Sequence, residues 1–519
     1  MFNRCTATIL VILSALFVLI AAFSLQWRFA HDSPLMLYVA FLIDHYHALP
    51  YRDVFDMNLP GSYFLFYLIG HLSGYQDLGF RLADLCVLCG ILVATWQLLK
   101  DFGWRVAWAA VVLFGLLYLG YGPFMSLQRE YLLILPICLA VLLATRCPHW
   151  PLPLRTLCIG LLFGCCVTVK PHSIIAFPLV LWYLGKQHAD APARRTLLVR
   201  LLAPAALGFL LPVMVALVYL VHTGCLAAFR DIASGYWPLY GSLSGSHRTV
   251  AGIWRVWNLL GGFCNFGMHR ALLYPALGGV LIAIYDSLLP TEKRREVWLF
   301  VGLLVCYAIY PVLSGQFWPY HWLIFGYWLT VLIAMALVDR PGTRTLAQTL
   351  IPVAVLLCAV LASLTVSDES IAQFVGAEMP RPKEGKVDAI AGYLHAHLRP
   401  GDRVQPLDWT GGAVHAMLIA RAQLATPFMY DFHFYHHLSH AYTQHLRRRF
   451  LHCLADTQPR YIVEITEEKD WVNGRDTTQD FPALTRYRLE HYAIANIGEG
   501  YIIYERKDTA PQTPTFSEW

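Results

Sequence analysis

Eleven apolar runs punctuate the chain before residue 367: 6–27, 82–99, 104–122, 130–145, 156–169, 173–185, 198–222, 271–288, 297–314, 318–338 and 346–366. An α-helix needs roughly 20 predominantly apolar residues to cross the hydrocarbon core of a bilayer. A row of such runs leaves one solvent in which the chain can fold. Hydrophobic residues make up 57% of the 519 and charged residues 14%. A soluble domain carries about 25% charged residues, and a chain this apolar could not cover its own core with polar surface. The same arithmetic excludes disorder and a coiled coil. Lys and Arg exceed Asp and Glu by 39 to 34, a net +5 that is too weak and scattered for a nucleic-acid footprint. The fold class expected is a polytopic α-helical membrane protein of about eleven transmembrane helices, some short enough to require tilt or a thinned bilayer. The first run follows Arg4 and resembles a signal peptide, but with so many spans after it we read it as an uncleaved helix. Most of the 13 cysteines lie inside the apolar runs and read as small core hydrophobes.

The stretch 61–74 is too short to cross, and charge decides its placement. If it does not cross and the N-terminus is cytoplasmic, the basic turns Lys100/Arg105, Arg146/Arg155, Lys186/Arg194/Arg195/Arg200, Lys293/Arg294/Arg295 and Arg340/Arg344 all fall inside. If it crosses, every one of them flips outside. It therefore reads as a helix lying at the outer face.

The chain then divides into a transmembrane domain over 1–366 and an outer domain over 367–507, with 508–519 reading as a disordered tail. Within the first part, 28–81 is an outer loop with juxtamembrane helices, and 223–270 is a second large outer loop. Beyond 367 charges return and no spanning run remains. A helix is expected over 387–398, a turn over 399–402, and strands over 404–407, 461–465 and 501–504, together a small α/β domain. No internal repeat of the kind many transporters carry is visible.

The loop after the first helix is dense in polar groups: His31-Asp32-Ser33, Asp44-His45-Tyr46-His47 and Tyr51-Arg52-Asp53-Val54-Phe55-Asp56. Carboxylates at a membrane surface are costly unless solvated, paired or used. One just outside a span can take a proton from an acceptor hydroxyl, and a second can orient the acceptor or bind a metal. Cations recur at other outer helix ends: Arg129 beside Glu130, Lys170, Arg255 and His269-Arg270. Cations beside apolar grooves suit a lipid phosphate. Each has a plainer reading: Arg129 can pair with Glu130, Lys170 can snorkel to the interface, and His321, in the turn Gly315-Gln316-Phe317-Trp318-Pro319-Tyr320-His321, can be a structural hydrogen-bonding histidine. In the tail, His433, His436, His437 and His440 follow Asp431 at helical spacing. That spacing would suit a metal, a solvated face or acceptor contacts.

The segment Leu49-Pro50-Tyr51-Arg52-Asp53-Val54-Phe55-Asp56-Met57-Asn58-Leu59-Pro60-Gly61-Ser62-Tyr63, after an early Asp32, resembles the corresponding loop of the GT-C superfamily of polyprenyl-phosphate-sugar-dependent glycosyltransferases. It is most like the bacterial dolichyl-phosphate-mannose-protein mannosyltransferase-like group, with the aminoarabinose transferases of lipid A nearby. The turn around Tyr320 and the stretch from Pro400-Gly401-Asp402 to Tyr430-Asp431-Phe432 resemble further family segments. The resemblance implies an inverting transferase of the cell envelope, in lipopolysaccharide or glycan biosynthesis. It would sit in the bacterial inner membrane, with its active site and C-terminal domain in the periplasm. Implied partners are a polyprenyl-phosphate-linked hexose or pentose, a glycan, lipid or protein acceptor, and the bilayer. Asp32 is implied as general base and Asp56 as the second catalytic acid. Arg129, Lys170, Arg270 and His321 are implied at the carrier phosphate and lipid, and Tyr51, Arg52, Tyr320, Asp431 and His433 at the acceptor and cavity. No cofactor is certain; a divalent cation, Mg or Mn, is the candidate. Asp32-Ser33 stands where several members carry Asp-Glu, and Met57-Asn58 where the aminoarabinose enzymes carry acid-Lys-Pro. Two other functions stay open: a transporter or flippase of a lipid-linked glycan, and an O-antigen ligase or polymerase.

Overall fold

The computed structural model describes residues 2–188, 194–264, 271–285, 287, 289–339, 346–363 and 367–507. The tail expected to be disordered, 508–519, and Arg270 lie outside these residues. A helix stands at each of the eleven apolar runs. Among the described residues six are long and apolar enough to cross a membrane: Thr6–Gln26, Asp77–Phe102, Leu152–Val169, Val199–His222, Thr291–Ser314 and Pro319–Leu337. Three are apolar but shorter, Trp104–Gly120, Leu273–Tyr285 and Leu350–Ala362. The other two are Arg129–Arg146, which carries Arg129, Glu130 and Arg146, and Phe177–Gln187, which has 11 residues. Short or charged helices survive at membrane depth where protein rather than lipid surrounds them. The protein is a multi-pass membrane protein, and its chain forms two compact units.

The first unit comprises Met1–Trp27, Arg81–Ala216 and Val250–Met379. Its centre is the segment Pro319–Leu337, buried along its whole length. Trp104–Gly120, Arg129–Arg146, Leu273–Tyr285 and Thr291–Ser314 pack around the central helix Leu323–Ala334. Polar side chains on these helices find partners inside the bundle. Thr95 and Tyr327 hydroxyls meet at 2.9 Å, and the Cys138 thiol donates to Tyr327 Oη at 2.6 Å. Small residues set the closest approach. Gly160 and Gly164 on Leu152–Val169 face Gly208 on Arg194–His222, and a Cβ on any of the three would strike a backbone carbonyl of the other helix. The Gly-x-x-x-Gly spacing puts both glycines on one face, the device by which membrane helices approach without a hydrophobic drive between them.

The second unit comprises Arg28–Phe80, Leu217–Thr249 and Pro380–Trp519. The surface-helix candidate is the 14-residue helix Pro60–Ser73, stopped by Gly74 at φ +64°. It packs on Ser33–Tyr46. Here Asp44 accepts from Tyr75 at 3.0 Å and meets His71 Nδ1 at 3.0 Å. The α/β part has strands β1 (Arg403–Leu407), β2 (Gln423–Leu424), β3 (Tyr461–Ile465), β4 (Tyr492–Gly498) and β5 (Tyr501–Arg506), in the order β2-β1-β3-β5-β4. β1 runs parallel to β2 and β3, while β5 pairs antiparallel with β3 and β4. The expected strands and the helix Lys386–His397 are present; β2 and β4 and the helices Ala413–Ile419, Ala441–Thr457 and Pro482–His491 were not anticipated. The early loop is stitched to this part by Phe55 N donating to Pro427 O at 2.7 Å and Tyr38 Oη to Ala422 O at 2.9 Å.

Candidate functional site

In the second unit Asp32 precedes the helix Ser33–Tyr46 and keeps 22% of its side chain in solvent. The residue before it, His31, takes a left-handed backbone (φ 54°), and its Nδ1 lies 3.2 Å from the Asp32 carboxylate. A carboxylate with a basic neighbour and access to solvent can receive a proton.

Asp56 is placed differently. It is 2% exposed, and three neutral groups donate to it: Asn58 Nδ2 and Tyr63 Oη to one oxygen, Tyr430 Oη to the other, each at 2.8 Å. Burial, followed by the Asp56 charge, holds both tyrosine hydroxyls well above their usual range, so they remain donors. Tyr51, also at positive φ, is buried, donates to Asn58 O at 2.7 Å and packs edge-on against Tyr63 and Phe229. Arg52 is exposed and spends its guanidinium on Asp53 at 2.8 and 2.9 Å.

Asp431 is buried and ion-paired with Lys469 at 2.7 Å; burial raises its carboxyl against the pull of that ammonium. His433 is 2% exposed, boxed by Phe55, Tyr236 and Tyr430 with ring centroids 4.5–4.7 Å away, and neither ring nitrogen has a hydrogen-bond partner. Burial pushes its imidazole down to about 3. Tyr430 therefore links Asp56 to His433. The helical spacing of His433, His436, His437 and His440 does not hold: a single 3₁₀ turn, Phe432–Phe434, is followed by a bend, an isolated bridge at His436 and a turn, and the next helix starts only at Ala441. Among the described residues no set of three or more His, Cys, Asp or Glu is placed to hold a metal ion.

In the first unit the structure gathers Lys170, His321 and Tyr310 on one carboxylate that the sequence reading treated only as a partner for Arg129. Glu130 is fully buried; Lys170 Nζ lies 3.2 Å, His321 Nε2 3.6 Å and Tyr310 Oη 3.2 Å from its Oε1. Its Oε2 has no hydrogen-bond partner. His321 Nδ1 sits 2.9 Å from Gln316 O, and Tyr320 packs edge-on against the His321 ring. Arg129 is buried at the first turn of the same helix as Glu130. Cations gathered at one buried place suit a phosphate. Arg255 is committed elsewhere, donating to Val250 O, Val312 O and Leu313 O. The sequence signal for Glu130 was its isolation, a lone acid opening an apolar run.

A second cluster, not expected from the sequence, surrounds Arg81 in the first turns of Asp77–Leu99. Its guanidinium pairs with Asp84, donates to Ser24 and Ser126, and covers the Trp27 ring at 4.5 Å. Asp84 also accepts from Tyr118.

No family model and no curated protein sequence matches the chain. Solved structures do. ArnT from Cupriavidus metallidurans bound to undecaprenyl phosphate superimposes with a TM-score of 0.60 at 13% identity, over 97% of this chain and 99% of that one. Its apo state gives the same score and identity over 96% and 98%. The mycobacterial arabinofuranosyltransferase AftD aligns at a TM-score of 0.46 and 14% identity, over 96% of this chain and 41% of that one. The chain thus has, over nearly its whole length, the membrane fold of ArnT.

Proposed function

We propose that this protein is an inverting glycosyltransferase that moves a sugar from a polyprenyl-phosphate carrier to a hydroxyl of a glycan, lipid or protein acceptor at the periplasmic face of a bacterial inner membrane. The observation that carries the reading is the full-length likeness to ArnT, a structure that holds undecaprenyl phosphate. The sorted basic turns support the orientation. Asp32 is the general base: it follows the first helix and solvent reaches it, while Asp53 is paired with Arg52 and Asp44 with His71 and Tyr75. The acceptor oxygen loses its proton to Asp32 and bonds to the anomeric carbon. The bond from that carbon to the phosphate oxygen breaks, and the electron pair leaves with the carrier phosphate. One displacement inverts the configuration. Lys170 and Arg129 offset the charge on the departing phosphate, with Glu130 holding Lys170 in place. Asp56 is a positioning residue, since its bond from Tyr430 ties the early loop to the tail.

The test is to incubate purified protein with a panel of undecaprenyl-phosphate sugars and follow free undecaprenyl phosphate. Release from at least one donor is expected. If no donor is consumed while lipid-linked sugar crosses proteoliposomes that contain the protein, transport replaces transfer.

A further inference from the structure

The parallel part of the sheet has a switch point. The chain leaves β1 for β2 on one side through the helix Ala413–Ile419, and then returns through Ala441–Thr457 to β3 on the other side of β1. Right-handed crossovers place those two connections on opposite faces of the sheet. The loops that follow β1 and β3 therefore diverge at the strands' carboxyl ends, where open α/β sheets bind ligands.

Each of those two loops carries a partly exposed indole. Trp409 follows β1 and Trp471 follows β3, with ring centroids 5.6 Å apart at 70°. Trp409 is rigidly presented: the Asp408 carboxylate accepts from the backbone N–H of Gly411 at 2.6 Å and of Gly412 and Ala413 at 2.9 Å. Gly412 has φ +115°, a conformation that favours glycine. Phe432 forms a buried floor, 4.6 Å from Trp409 and stacked on Trp471 at 5.1 Å. His247 closes one side, 4.8 Å from Trp409. Polar groups converge on the same place. The Lys469–Asp431 pair lies at 2.7 Å, and the His436 ring sits 4.8 Å from Phe432, 5% exposed, with Nε2 unpartnered.

From this we infer that the carboxyl ends of β1 and β3 form a saccharide-binding site, in which Trp409 and Trp471 stack on pyranose or furanose rings and Lys469, held in place by the buried Asp431, engages hydroxyls. Two indoles at an angle offer flat apolar faces to the C–H faces of sugar rings, while a few fixed polar groups orient the ligand. A quaternary ammonium, the other common occupant of an aromatic cage, is disfavoured because the Lys469 ammonium already lies 4.9 Å and 5.5 Å from the Tyr435 and Trp471 rings. That the bound sugar is the transferase's acceptor rests on the proposed function; saccharide binding itself does not.

The test uses the full-length protein in nanodiscs and a panel of free oligosaccharides of two to six residues, neutral and uronic-acid-containing, followed by saturation-transfer NMR and indole fluorescence. Saturable binding of at least one is expected, weakened tenfold or more by Trp409→Ala and by Trp471→Ala. It should be largely kept by Trp471→Tyr, which retains a flat face, and unchanged by Trp182→Ala in the first unit. Absence of binding across the panel overturns the inference, as does binding that survives both alanine variants in protein with an unchanged melting temperature. Hydrolysis of the donor by water needs no saccharide site. Protein that hydrolyses donor yet binds no oligosaccharide therefore loses this site and keeps the transferase reading. Protein that binds through Trp409 and Trp471 yet consumes no donor keeps the site and loses the transferase.

Discussion

His433 and Glu130 show what burial does to a single ionisable side chain in this protein. An imidazole with no partner for either nitrogen is held neutral, its folded value near 3 against the unfolded value near 6.5. As pH falls below about 6.5 the unfolded chain gains a proton that the folded unit refuses. The stability this neutral histidine contributes is thus present above that pH and is lost as pH falls toward 3. At pH 5 the loss is about 2 kcal/mol. His433→Phe, which keeps the aromatic box filled, should flatten the melting temperature between pH 7 and 4.5; an unchanged slope would mean that His433 finds a partner in solution. Glu130 is the opposite case, a buried charge kept by its partners. Glu130→Ala leaves Lys170 and His321 facing an empty carboxylate site, and removing one member of such a pair costs on the order of 3–5 kcal/mol. Thermal unfolding of the variant should fall accordingly, and Lys170→Met in the Glu130→Ala background should recover part of the loss, the sign of direct coupling. Asp32 and Asp56 stand out in the sequence because charge is scarce in the chain as a whole. Their different fates do not, because the donors that enclose Asp56 include Tyr430, 374 residues away.

At the scale of elements, a helix stands at each of the eleven apolar runs, and among the described residues six are long and apolar enough to cross a membrane, since a run that must hide its backbone from lipid has little choice but to coil. The same criterion says nothing about which faces meet. The Gly160, Gly164 and Gly208 contact is such a case: the spacing is visible, the partner helix is not. Gly164→Val should separate the two helices and lower the protein's thermal stability, while Gly261→Ala, at a position with open space around it, should not; equal effects of the two would contradict the close approach. In the tail, β1, β3 and β5 were legible because each is an apolar or aromatic-rich run next to turn residues. β2 has only two residues, and β4 is an edge strand whose Ala, Asn and Gly have weak strand preference. The histidine segment misled for a related reason: helical spacing is necessary for a helical face, but Phe432 and Phe434 are drawn into the unit's core and bend the chain into a single 3₁₀ turn.

For the whole molecule, the chain sorts its few charges into two settings. One is a membrane unit that centres a carboxylate on Lys170, His321 and Tyr310; the other is a unit that joins the early loop to an α/β sheet through Asp56. The proposed transfer needs one proton acceptor, Asp32. The most direct test compares Asp32→Asn with the unaltered protein, measuring both the affinity for an undecaprenyl-phosphate sugar and the rate at which undecaprenyl phosphate is released. The account predicts donor affinity within twofold and a rate lowered at least a hundredfold, the range that general-base removal produces. A variant that turns over at the full rate would contradict it.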